Sequence, residues 1–324
     1  MTKHPHSYQS YLFFRNGQSF LIPRQQVFVD SLTHAFVAAM VFYNLGLMQL
    51  LPFAVIGVVI IDADILFSFL SRGNPSLYLF IHGGIAHSIV GATVMSVISY
   101  AGICVAVFVG LVSPTSIYGS GAAGFAAILA GAFLHLALDL PATPGIPLFA
   151  PASDRKYSLF MLPGPSLFLM GVSLFLIIWM VLGVLTFAQG MLIFAIFFGL
   201  FLLIRLVAYL ISRPELRKMR CALSQINPVQ WIAISETSDS WCVQNYRIGS
   251  GLAEPEFYPK FRDITPMEIS PYLSLPEVKR LKYHSFIVTA AKEGNAIVFS
   301  DPLRVTGRIF YPPHFKQVRI AIMG

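Results

Sequence analysis

Only five acids, all aspartates, occur in the first 211 residues of this chain, and four of them stand close to a histidine or to a second aspartate. Asp30 precedes His34 by four positions, Asp62 and Asp64 are two apart, and Asp139 follows His135 by four, while His82 and His87 lie between these groups. A charged side chain at the centre of a spanning helix costs roughly 2.5–3.5 kcal/mol, so such groups gather round a polar cavity or a bound ion. A spacing of four puts both members of a pair on one helical face. A spacing of two does not, and suits a place where a helix is ending.

Imidazole and carboxylate without thiolate is ligand chemistry for Zn, Mn or Fe(II). His34, Asp62, Asp64, His87, His135 and Asp139 are the candidate metal ligands, enough for one or two divalent ions sharing a carboxylate. Asp62 is also read as a bridging ligand or a partner of ligands, and His82 as a ligand or general acid, so these two are the candidate catalytic residues. Two ions at about 3.5–4 Å stabilise both the attacking and the leaving oxygen of a phosphoester. Metal-assisted hydrolysis is therefore the chemistry this set favours. No Glu precedes Glu215, so a carboxylate base here must be an Asp.

Other polar residues have plainer readings. Asp30 is expected to cap the start of the first helix, and His4, His6 and His314 to be solvated. His284 has no clustered partner. Cys104, Cys221 and Cys242 form no CxxC and are odd in number, which argues against a disulfide framework or a thiolate zinc site. Cys104 is read as a packing residue in an apolar span.

The elements that must position the site follow from composition. With 56% hydrophobic and 11% charged residues and a mean hydropathy of +0.70, the chain is too apolar for an ordinary soluble domain. It reads as an integral membrane protein up to Ile211. From Ser212 onward stand 15 of the 22 Lys and Arg and 10 of the 15 acids. The fold expected is thus an α-helical polytopic membrane protein of about six helices with a small C-terminal α+β soluble domain. Its divisions are an amphipathic lead-in over 1–29, a transmembrane domain with the metal site over 30–211, and a cytoplasmic domain over 212–324. The N-terminus lacks a secretory pattern, because Tyr11 to Phe14 is too short for an apolar core and Arg15 follows.

Three hairpins are predicted. The first pairs Ser31 to Leu45 with Leu47 to Asp62, the second Gly84 to Gly110 with Ser120 to Leu140, and the third Pro163 to Thr186 with Gly190 to Ile211. The turns near 45, 112–119 and 187–190 carry no Lys or Arg, whereas Arg24, Arg72, Arg155, Lys156, Arg213 and Arg217 fall on the other side. The positive-inside rule makes that side cytoplasmic, with both termini and all the candidate ligands there, in the inner or cytoplasmic membrane. In the tail, Gln230 to Ile234, Trp241 to Ile248, Ala296 to Ser300, Arg304 to Phe310 and Gln317 to Ile322 read as strands and Pro276 to His284 as a helix. The basic tail suits an anionic membrane surface. Membrane lipids and a membrane-proximal substrate are the expected partners, and no tract is dense enough to suggest nucleic acid.

The motifs come in a telling order. Asp30-Ser-Leu-Thr-His34, Ile61-Asp-Ala-Asp64, His82-Gly-Gly-Ile-Ala-His-Ser88 and the run from His135-Leu-Ala-Leu-Asp139 to Pro151 resemble the successive motifs of the YdjM-like family of inner-membrane-associated metal-dependent hydrolases. The resemblance covers residues 30–151 well. Asn227-Pro-Val-Gln-Trp231 and Asp301-Pro-Leu-Arg304 are similar to tail signatures of longer members. What it implies is a metal-binding, hydrolase-like membrane protein. This chain departs from the family pattern at Ile61, Gly83 and Ala86, where the pattern has Pro, Arg and Thr, and the missing Arg removes a bidentate phosphate donor. Arg72 or Arg155 are the candidates to replace it.

The expected function is membrane-bound, metal-dependent hydrolysis of a lipid or other membrane-proximal phosphoester. Two alternatives use the same residues: a cation-handling transporter, and a regulatory membrane protein with a degenerate metal site.

Overall fold

The computed structural model describes residues 22–113, 121–164, 166–309 and 315–322, and side chains from Ser31 onward, those of Arg72 and Leu167 excepted. His4, His6, His314, the first part of the lead-in and the turn at 114–116 lie outside the described residues.

The first described element is α1 (Ile22–Asn44). The helix begins well before Ser31, so Asp30 lies inside it and does not cap it. A positive-φ turn at Gly46 leads through a short 3-10 turn into α2 (Leu51–Ile60), which runs on through a 3-10 stretch at Ile61–Phe67 to the short α3 (Ser68–Gly73). After a connecting segment, α4 (Ile89–Phe108) and α5 (Gly121–Asp139) form the second hairpin. A long loop then leads to α6 (Leu167–Val181) and α7 (Phe187–Leu216). Among the described residues, four stretches are long and apolar enough to cross a membrane: Met48–Ser71, Ile89–Phe108, Gly121–Asp139 and Phe187–Leu216. α6 is apolar but shorter.

What holds these helices together is small. A Cβ on Gly57 of α2 would lie 1.9 Å from the Ile128 carbonyl oxygen of α5, and one on Gly131 of α5 would lie 2.1 Å from the Ala54 oxygen of α2. The two backbones therefore touch, as membrane helices do when small residues replace bulky ones at their crossing. Ala54, Ala127 and Ile128 are buried around this contact with Phe42 and Phe53. Phe36, Val37, Leu176, Met191 and Phe194 pack α1 against α6 and α7. The outward faces are apolar and bare: Val97, Ile98 and Val105 on α4, and Leu192, Ile196 and Leu203 on α7, are all exposed. Cys104 belongs to that outer face, exposed rather than packed inside.

The tail folds into two sheets. β1 (Cys221–Ser224), β2 (Gln230–Glu236) and β3 (Ser240–Arg247) are antiparallel neighbours, with β4 (Gly251–Leu252) and β5 (Glu256–Pro259) sharing the far edge of β3. The second sheet runs β6 (Phe261–Arg262), β7 (Thr289–Glu293), β8 (Ala296–Ser300) and β9 (Gln317–Ala321). Between β6 and β7 lie α8 (Pro266–Ile269) and α9 (Pro276–His284), whose Val278 and Leu281 pack onto Ile297 and Phe299.

Over the described part of the strand expected at Arg304 to Phe310, the chain is instead the end of the short helix α10 (Pro302–Val305) and a following turn, Phe310 itself lying outside the described residues. Asp301 starts that helix by accepting from the Leu303 and Arg304 amides at 3.0 and 3.3 Å, with Pro302 at its first position.

The tail is tied to the helices at defined points. Arg205 lies about 27 Å along α7 at 1.5 Å per residue, close to the ~30 Å thickness of a hydrocarbon core. Its guanidinium donates to the carbonyls of Gln225 and Ile226 at 2.8 and 2.5 Å. From α9, Arg280 donates to the Ser71 carbonyl at 2.7 Å and Tyr283 to the Gly83 carbonyl at 3.4 Å. These contacts bring α9 to the segment that carries His82 and His87.

Candidate metal centre

Four pieces of chain converge on one buried polar cluster. α1 supplies His34, the 3-10 stretch after α2 supplies Asp62 and Asp64, the segment before α4 supplies His82 and His87, and the end of α5 supplies His135 and Asp139. Residues two apart point about 240° apart on a 3-10 turn, so Asp62 and Asp64 cannot share a face. They take opposite sides of one imidazole instead. Asp62 Oδ1 is 3.5 Å from His87 Nε2, and Asp64 Oδ2 is 3.0 Å from His87 Nδ1.

The centre of the cluster is four atoms. His87 Nε2 and His135 Nε2 face each other at 3.2 Å, Asp62 Oδ1 is 3.5 Å from each, and Asp139 Oδ2 is 3.5 and 3.3 Å from them. A tetrahedral ion with N and O ligands at about 2.0–2.2 Å makes ligand-to-ligand edges of about 3.3–3.6 Å. The five separations that involve the two imidazoles, 3.2–3.5 Å, lie close to such edges. The protonation pattern agrees, because His135 Nδ1 donates to the Val58 carbonyl at 2.7 Å and leaves a lone pair on Nε2. Lone pairs and carboxylate oxygens directed at one point call for a cation between them.

The remaining residues flank this set. His34 Nε2 lies 3.6 Å from Asp139 Oδ1, so the two oxygens of Asp139 serve opposite sides. His34, Asp62 and His135 also form a compact triplet, as do Asp62, His82 and His87, which leaves room in the donor set for a second ion. Asp64 stands behind the centre: besides His87 it holds His82 Nδ1 at 2.9 Å and accepts from the Gly83 amide at 3.2 Å. Burial opposes a charge on His82, but Asp64 outweighs it and holds the ring above its ordinary range. Ser31, which sequence reasoning passed over, donates to Asp62 Oδ2. The backbone carbonyl of Val58 has no sequence signal at all.

The backbone at Gly83 does not suit the Arg that the resemblance would lead one to expect there. Its φ of +74° is a left-handed backbone that an Arg would hold only under strain. The Gly83 amide serves Asp64 and its carbonyl serves Tyr283. Arg155, one proposed replacement, is exposed and lies over the Tyr157 ring at 5.5 Å.

A cavity of about 290 Å³ opens directly on the cluster, lined by His34, Asp62, His82, His87 and Asp139. His284, which appeared isolated in the sequence, lines the same cavity from the tail. So does Lys156, from the loop between α5 and α6. The tail thus completes the wall of a cavity whose floor is made by the helices.

A family model described as YdjM inner membrane protein matches residues 29–214. No curated protein and no solved structure matches the chain.

Proposed function

The chain belongs to the YdjM inner membrane protein family, and from that premise we propose that it is a metal-dependent hydrolase. Its site faces the cytoplasmic side of the membrane, and its substrate is a phosphoester held at the level of the lipid headgroups. Six membrane-embedded helices with both termini in the cytoplasm complete this reading. The observation that carries it is the facing pair His87 Nε2 and His135 Nε2, 3.2 Å apart, each with Asp62 Oδ1 and Asp139 Oδ2 at 3.3–3.5 Å.

His87, His135, Asp62 and Asp139 would hold the ion, with His34 beside the second oxygen of Asp139. A zinc-, manganese- or iron-class ion supplies a Lewis acid for a phosphoryl oxygen and a lowered pKa for bound water. The chain's own groups do the rest. Asp64 orients His87 and His82, the carboxylate support that fixes ring and tautomer in metal-binding histidines. His82 is engaged through Nδ1, so its Nε2 is the atom left to pass a proton to a leaving oxygen at the cavity floor.

The test is elemental analysis of protein purified in mild detergent, followed by a panel of phosphodiesters, phosphomonoesters and carboxylic esters with and without chelator. One or two ions per chain and chelator-sensitive turnover are expected. Bound metal without turnover on any ester would favour the regulatory reading. The 3-10 interruption inside Met48–Ser71 favours a cation transporter in one respect, since transporters bind ions where spanning helices unwind. Metal-driven flux into proteoliposomes would support that reading over hydrolysis.

A further inference from the structure

Metal ligation uses only the floor of the cavity. Much of the remaining lining is apolar: Val37 of α1, Leu138 of α5, Leu162 of the loop, Leu169 of α6, and Phe198 and Phe201 of α7. Phe201 and its neighbour Leu202 are only half-buried, and the next residues outward, Leu200 and Leu203, are on the bare apolar surface of the helix. The wall is one helix thick between the cluster and the membrane-facing side. A soluble phosphoester has no use for such a wall.

The cavity also contains a cation that has no counter-ion among the described residues. Lys156 Nζ sits 4.1 Å from the centre of the Tyr283 ring. Among the described residues no carboxylate comes within ion-pair distance of it, and Asp154, the nearest acid in sequence, is taken by the Tyr78 hydroxyl at 2.8 Å. Burial, reinforced by the charge of Arg304, pushes the ammonium down to about 7. An anion delivered next to it would relieve that burden.

We propose that the site takes an anionic amphiphile, a phosphate-bearing lipid whose phosphate lies between the metal centre and Lys156 while its chain runs along Leu169, Phe198 and Phe201. Lys156 is then the residue that recognises the anion, and Tyr283 of the tail holds it in place. At about 290 Å³ the cavity is at the small end of ligand pockets, about 300–1,000 Å³. It accommodates a phosphate and the first part of a chain, and a longer chain leaves past the half-buried Phe201 and Leu202. The proposal rests on the hydrolase reading for its scissile bond but not for its binding.

The experiment measures binding with phosphonates, whose C–P bond is not an ester. Dodecylphosphonate, butylphosphonate and inorganic phosphate are titrated against the full-length protein in a neutral detergent, and metal content is measured on the same samples. Dodecylphosphonate is expected to bind at least about ten-fold more tightly than butylphosphonate, which burial of two methylenes already supplies. Lys156→Gln should weaken it about ten-fold or more at unchanged metal content, and Lys156→Arg should restore most of the loss. Phe201→Asn should narrow the gap between the two chain lengths. Equal affinity for the long and short chains would overturn the proposal in favour of a free phosphate or soluble phosphoester, and so would an unchanged affinity in Lys156→Gln. Metal without chain-length dependence defeats the amphiphile alone. Chain-length and Lys156 dependence in a protein that binds no metal and hydrolyses nothing would defeat the hydrolase reading and leave this one standing.

Discussion

At the scale of single residues, the cluster separates groups that touch the centre from groups that steer it. His135 and Asp139 each direct an atom at the four-atom frame, so His135→Ala and Asp139→Ala should each remove most of the bound metal. Asp64 reaches the centre only through His87 and His82. Asp64→Asn is therefore expected to retain metal with an affinity lower by about 10–100-fold, the usual cost of losing a carboxylate behind a ligating histidine. Dialysis of the three variants against graded chelator, followed by elemental analysis, distinguishes them. If Asp64→Asn empties as completely as His135→Ala, Asp64 is itself a ligand. A second residue-scale expectation concerns charge. With its ammonium held down to about 7 by burial and Arg304, Lys156 is charged below that pH and neutral above it. Binding of an alkyl sulfonate, whose own charge is fixed, should weaken as pH rises through about 7 in the wild type and much less in Lys156→Arg. The difference between the two curves isolates Lys156 from the nearby histidines, and coincident curves would show that its proton plays no part.

At the scale of elements, the site depends on how closely α2 and α5 approach. His135 of α5 hydrogen-bonds the Val58 carbonyl of α2, and that bond exists because Gly57 and Gly131 let the two backbones meet. Gly131→Val should force the helices apart, costing about 1–3 kcal/mol in packing and releasing metal as Asp62 and His135 separate. Gly102→Val on the outer face of α4, where an added Cβ meets nothing within 4 Å, is the matched control and should keep its metal. Metal retention and thermal unfolding of the two proteins decide the matter, and equal retention would mean that the crossing does not set the ligand geometry. Much of this level is legible in the sequence, since a lone charge in an uncharged run marks a helix end. Asp62 and Asp139 bracket α2 and α5 for that reason. α9 is legible too, because Pro276 opens it and its apolar residues recur at helical spacing. α10 is not, because Arg304 to Phe310 alternates like a strand while the Asp301-Pro302 cap decides for a helix. The start of α1 is also hidden, since Arg24, Gln25 and Gln26 break the apolar run that would announce it. Lys156 is legible only as lying on the same side as the ligands, and His284 has no clustered partner in the sequence. The place of His284 depends on the tail folding back onto the helices, and no local pattern encodes that.

At the scale of the whole molecule, charge and shape point the same way. The cluster, Lys156, Arg205's contacts and the whole β-rich tail lie toward one end of the helices, and the turns at the other end, such as Leu45 to Leu47 and Leu182 to Thr186, contain no Lys or Arg. Under the positive-inside rule the end with the tail is expected to be cytoplasmic. This gives a prediction independent of any chemistry. In a background lacking Cys104, Cys221 and Cys242, a single cysteine is placed either at Gln49, exposed beside the charge-free first turn, or at Ser250, exposed in the tail. A membrane-impermeant thiol reagent added to intact cells should label Gln49→Cys and spare Ser250→Cys until the membrane is opened. The reverse pattern would put the metal centre and the basic tail outside, where the anionic cytoplasmic leaflet could not hold them, and would require an extracytoplasmic substrate. Labelling of both would mean that an even number of segments crosses between residues 49 and 250, provided neither site is reached through leakage, so a cytosolic marker cysteine is scored in the same cells. Protection of Ser250 with labelling of Gln49 would place His82, His87 and Lys156 on the cytoplasmic side, and an amphiphile entering from that leaflet would bring its phosphate to the cavity that these residues line.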